Sequence, residues 1–195
     1  MQHYENIARI LEENGGYISA SCCRDSGCPT VYLNRMVKAC EIEPVARGLY
    51  KRPDASWDEF FICQYMCPRA VFSYETALAL HGETDKMVSV MDVTVPRHCK
   101  VNKESNVIAH YEKDECYNLG VTTVLSPCGN LVKVYNLEKT LCDFVKHKSF
   151  MDPEVYVDFL KRYAKSPVKD LNLLGSYAKV MNISKKVRDA LEVLL

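Results

Sequence analysis

The stretch from Pro29 to Pro53, PTVYLNRMVKACEIEPVARGLYKRP, constrains the fold of this chain most. Pro29 suits a first helical residue, because its fixed φ is helical and its missing N–H would have no partner there. Leu33, Met36, Val37 and Cys40 then recur at i, i+3, i+4 and i+7, the stripe by which a helix packs. The opposite face carries Val31, Asn34, Arg35 and Lys38. A short ribbon follows, with Val45, a tight turn at Arg47-Gly48, and Leu49 to Arg52. Helix followed by basic hairpin is the layout of a winged helix, whose helix enters a major groove while the hairpin lies against phosphates.

The residues before Pro29 fit that layout. Tyr4 to Asn14 reads as a helix with Ile7, Ile10 and Leu11 on one side, stopped by Gly15-Gly16. Tyr17 to Ala20 is a short extended link, and Ser19 caps a second helix through Cys22, Cys23 and Arg24. Ser26-Gly27 breaks the chain before the third helix. A winged helix-turn-helix domain over residues 1–56 is expected.

Charge adds detail. The whole chain has 25 basic and 25 acidic residues, so no global field draws it to nucleic acid. Residues 24–53 are locally basic, with Arg24, Arg35, Lys38, Arg47, Lys51 and Arg52 against only Asp25, Glu41 and Glu43. Six phosphate contacts would give a slope of log K against log salt of about −5. Thr30, Val31, Asn34 and Arg35 are expected at base edges: Arg35 suits guanine, Asn34 adenine, Val31 a thymine methyl. Arg24, Lys38, Arg47, Lys51 and Arg52 are expected on phosphates. The competing reading is a protein-contact module carrying ordinary solvated charges.

Residues 57–195 form an expected second domain. Trp57 to Met66 reads as a helix, with Trp57 packing at the domain junction and Phe60, Phe61 and Tyr65 facing inward. Ser73 caps a helix over 74–80, which Gly82 closes. Strand patterns follow at 88–95, 107–111, 121–125 and 131–135, then helices at about 137–147, 153–165, 170–181 and 184–194. Strands first and helices after favour an α+β class.

No apolar run approaches the length of a membrane span, and the first eleven residues carry no signal-peptide core. Ten cysteines without an export signal point to a reducing, cytoplasmic setting and free thiols. Cys63-x3-Cys67 and Cys22-Cys23-x4-Cys28 lack a second ligand pair, so no metal or other cofactor is expected. Phosphate-loop, dinucleotide and zinc-protease motifs are missing. His81 reads as a helix-end residue. Glu75, His81 and Asp92, with Ser73 or Cys99 as conceivable nucleophiles, are the residues an enzymatic alternative would use; the chain is expected not to be an enzyme.

Several runs together resemble the AbiEi antitoxins of bacterial abortive-infection (phage-defence) systems. They are GGYISA (Gly15 to Ala20), VARGLY (Val45 to Tyr50) and AVFSYETALALHGETD (Ala70 to Asp85). TVP (Thr94 to Pro96), VYNLEKTLCDFV (Val134 to Val145) and DPEVYVDFLKRYAK (Asp152 to Lys165) complete them. The resemblance spans nearly the whole chain and departs at Tyr74, where the family often has His. It implies a winged-helix transcriptional repressor that binds inverted repeats in its own promoter, with self-association on that DNA left open. It also implies a C-terminal domain needed to neutralise an AbiEii-like nucleotidyltransferase toxin, either without a stable complex (type IV) or by direct binding. An enzymatic C-terminal domain acting on nucleic acid stays as the alternative.

Overall fold

The computed structural model describes residues 2–101 and 106–192, and shows a mixed α+β chain with two sheets. It divides into two compact units, Met1–Met66 with Leu125–Leu131, and Cys67–Val124 with Val132–Leu195.

The first unit runs α1 (Gln2–Glu13), β1 (Tyr17–Ser19), α2 (Ala20–Asp25), α3 (Val31–Lys38), β2 (Glu43–Ala46), β3 (Leu49–Lys51) and α4 (Glu59–Met66). Gly15 ends α1 with φ 58°, in a space where a Cβ would come within 2.9 Å of the Asn130 side chain. Ser19 caps α2 as its position predicts, accepting from Cys22 N at 3.0 Å. Pro29 precedes α3 by two residues: its carbonyl accepts from Tyr32 N at 3.1 Å, and Thr30 is the capping residue. Of the expected packing stripe, Leu33 and Met36 are buried, Val37 is half-buried and Cys40 is exposed. Cys40 falls away because α3 has already ended and its backbone turns to φ 58°. Leu33 and Met36 pack with Ile7, Ile10, Leu11, Ile18, Cys23 and Ile42. Each such side chain contributes roughly 1.5–3 kcal/mol by burial.

The three strands lie in the order β1-β3-β2, both pairs antiparallel, with a register slip between Pro44 and Ala46. Asp58, fully buried, ties the unit together. Its Oδ1 accepts from Phe61 N at 3.0 Å and its Oδ2 accepts from Ser126 Oγ and, at 2.7 Å, from Asn130 Nδ2. Tyr17 Oη donates to Ser56 O and accepts from Asp58 N. Trp57 does not pack as expected; it is 62% exposed.

The second unit contains β4 (Val71–Phe72), α5 (Tyr74–Leu80), β5 (Met91–Pro96), β6 (Val107–Glu112) and α6 (Asp114–Tyr117). It continues with β7 (Val121–Leu125), β8 (Leu131–Tyr135), α7 (Leu137–Lys146), α8 (Pro153–Lys165), α9 (Leu171–Val180) and α10 (Ser184–Leu191). The end of the expected last helix, 193–194, lies outside the described residues. The sheet order is β6-β5-β4-β8-β7; β4 runs antiparallel to β5 and parallel to β8, and β5 runs parallel to β6. Asn136, Asp152 and Asp170 cap the following helices through their side chains. Ser73 does not cap α5; its buried Oγ instead accepts from Thr94 Oγ1 at 2.9 Å.

Leu78, Leu141, Phe144, Phe159, Leu160 and Leu174 belong to the core of this unit. Helix α7 is buried from Glu138 to Val145, charges included. Lys139 donates to both carboxylate oxygens of Asp143, at 2.6 and 2.7 Å, and lies 4.5 Å from the Tyr135 ring centroid. Glu138 accepts from Tyr163 Oη and Asp170 N, both at 3.2 Å.

Candidate nucleic-acid interface

Helix α3 buries one side and leaves Val31, Asn34, Arg35 and Lys38 exposed. That is the face the sequence assigns to DNA. Arg35 is held by its own helix: its guanidinium carbon lies 5.3 Å from the Tyr32 ring centroid, three residues back. Tyr32 in turn packs against His3 at 4.8 Å and edge-on against Tyr4 at 5.2 Å. Sequence patterning placed Tyr32 on neither face, although an aromatic three residues before an arginine is the available signal. Thr30 is half-buried and makes no side-chain cap bond.

The β2–β3 turn presents Arg47, which is exposed. Gly48 supplies the turn with φ 77°, and its carbonyl accepts from Ala20 N at 2.7 Å and Tyr65 Oη at 3.0 Å. These two bonds fix the turn to α2 and α4. Arg24, in the last turn of α2, is exposed as well.

Two expected phosphate contacts are placed differently. Lys51 is only 6% exposed; it pairs with Glu43 at 2.7 Å and donates to Ala55 O at 3.1 Å and Arg52 O at 3.3 Å. Glu43 is its registered partner across the ladder, so the amine serves the sheet and is not offered to a phosphate. Arg52 is half-buried, with Nε 3.1 Å from Asp54 Oδ1 at an angle that makes no hydrogen bond. The basic run thus carries acidic neighbours at its two edges. Arg24, Arg35, Lys38 and Arg47 stand as the exposed cations of the expected set.

Among the catalytic alternatives, His81 closes α5 and its Nε2–H donates to Tyr135 O at 2.8 Å, a structural engagement. Glu75 and Asp92 line one cavity of the second unit. Among the described residues no group of three or more His, Cys, Asp or Glu side chains is arranged to hold a metal ion, and no helix is long and apolar enough to cross a membrane.

No protein-family model and no curated protein matches the chain. Among solved structures it is similar to the RV2827C protein from Mycobacterium tuberculosis. The identity is 10% over 98% of this chain and 81% of that chain, with a TM-score of 0.49.

Proposed function

We propose that the first unit is a winged helix that binds duplex DNA through α3 and the β2–β3 turn, and that the chain is an antitoxin repressing its own operon. The observation that carries the DNA reading is the outward face Val31, Asn34, Arg35 and Lys38 on a helix whose other side is buried. Element order supports it too: helix, strand, two helices and a hairpin, with β3 central in an antiparallel sheet. A major groove admits an α-helix, and the anchored turn carries Arg47 for a neighbouring phosphate. The antitoxin half of the reading rests on the resemblance to AbiEi, which also supplies an AbiEii-like nucleotidyltransferase as the partner to be opposed.

The test is a gel-shift titration with the duplex upstream of the chain's own reading frame, against a scrambled duplex of equal length. Preferential retention of the upstream duplex, lost in Arg35→Ala, is expected. Equal retention of both duplexes by the parent protein contradicts the repressor.

A further inference from the structure

A cavity of about 310 Å³ in the second unit has a composition that the DNA reading does not use. Its polar lining includes Tyr74, Glu75, Asp92 and His110, and its apolar lining includes Met87 and Phe150. Asp92 Oδ1 accepts from His110 Nε2 at 2.7 Å, and Asp92 N donates to Thr76 Oγ1. Tyr74 leaves β4 with φ 49° and packs its ring 4.2 Å from that of His110. Glu75 accepts no hydrogen bond from the described residues. Lys86, whose charge acts on it, is engaged by Asp152 at 2.8 Å. Burial first, and the Asp92 charge second, push the Glu75 carboxyl above its ordinary range.

Exposed apolar side chains stand among the lining residues: Met87 is 96% exposed and Phe150 82%, with Ile108 and Val90 also exposed. Exposed apolar groups gathered beside polar ones mark contact surfaces for proteins, membranes or ligands, and the two carboxylates here favour a cationic protein group. We infer that this cavity receives an arginine or lysine side chain of a protein partner, its charge between Glu75 and Asp92 and its stem and neighbours against Met87, Ile108 and Phe150. A cation there relieves the repulsion between two carboxylates, and a long basic side chain buries its apolar stem while its head stays polar. Among the described residues no three-ligand arrangement stands at this cavity, which favours an organic cation over a metal ion. Arginine is also enriched among residues that dominate protein interfaces.

The probe is the tripeptide acetyl-Leu-Arg-Leu-amide, titrated into the ¹⁵N-labelled full chain and followed by amide chemical shifts. Its counterpart carries citrulline, which keeps the shape and loses the charge. Shifts centred on Glu75, Asp92, His110 and Met87 are expected, with citrulline or Glu75→Gln weakening binding at least about tenfold, as loss of a charge-assisted contact requires. Glu115→Gln, exposed on α6, is expected to bind like the parent. Phe150→Ser changes only the exposed rim and is expected to weaken binding without touching the carboxylates. The inference is overturned if the citrulline peptide binds as well as the arginine peptide. It is equally overturned if the shifts fall elsewhere, or if Glu75→Gln and Phe150→Ser both bind like the parent.

Discussion

At Arg35 the guanidinium is exposed yet steered by Tyr32, so the base-edge contact proposed for it would begin from a restricted set of rotamers. Arg35→Ala is expected to cost specific DNA binding ~1–3 kcal/mol and to relax preference at one base position, read by titrating single-site operator variants. Lys51 behaves oppositely. Lys51→Met strips Glu43 of its partner and leaves the Ala55 carbonyl without its donor, so a loss of about 1–3 kcal/mol in urea unfolding is expected, with the salt dependence of DNA binding unchanged. The outward α3 face was legible because helical period and charge agree there. Lys51 was legible in principle, since a strand's period of two places it on the face of buried Leu49. The basic run around it hid that signal, because Glu43 meets it across the sheet and not along the chain.

Among the elements, α7 makes the sharpest demand. Its Lys139–Asp143 pair is out of solvent, so Asp143→Ala leaves a buried ammonium unpaired and is expected to cost about 3–5 kcal/mol. A combined Lys139→Met/Asp143→Leu change removes both charges and is expected to lie closer to the parent in denaturant midpoint. At the end of α7, burial first and Lys146 second hold the His147 imidazole below its ordinary pKa, and its Nε2 has no hydrogen-bond partner among the described residues. The unfolded chain therefore takes up a proton that the folded one resists. Stability from this group is present above the ordinary value of ~6.5 and is lost as pH falls through the lowered one. His147→Gln is expected to flatten the fall in urea midpoint between pH 7.5 and 5.5, relative to the parent. Glu75, raised by burial, acts with the opposite sign and is common to both proteins. Helices such as α8 were legible to the residue because Asp152-Pro153 is a local start signal. The two-residue β4 and one-turn α6 were not, since neither is long enough to show a period.

For the whole molecule, a neutral chain can bind a polyanion only through a local group of cations. The second unit begins after Met66, and Leu125–Leu131 belongs to the first. That return was invisible in the sequence. Asp58 reaches Ser126 and Asn130 across 68 and 72 residues, a pairing that no local pattern records. With Lys51 committed to the sheet, Arg52 beside Asp54 and Arg35 expected at a base edge, the three exposed cations expected on phosphates, Arg24, Lys38 and Arg47, imply a salt slope of about −3, not the −5 that the basic run suggests by count. The most direct measurement is therefore fluorescence-anisotropy binding of the upstream duplex from low to moderate salt, for the parent and for Lys38→Ala/Arg47→Ala. The account predicts a slope of about −3 falling to about −1 in the double variant. Equal slopes for the two proteins, or no binding by the parent above that to scrambled duplex, would contradict it.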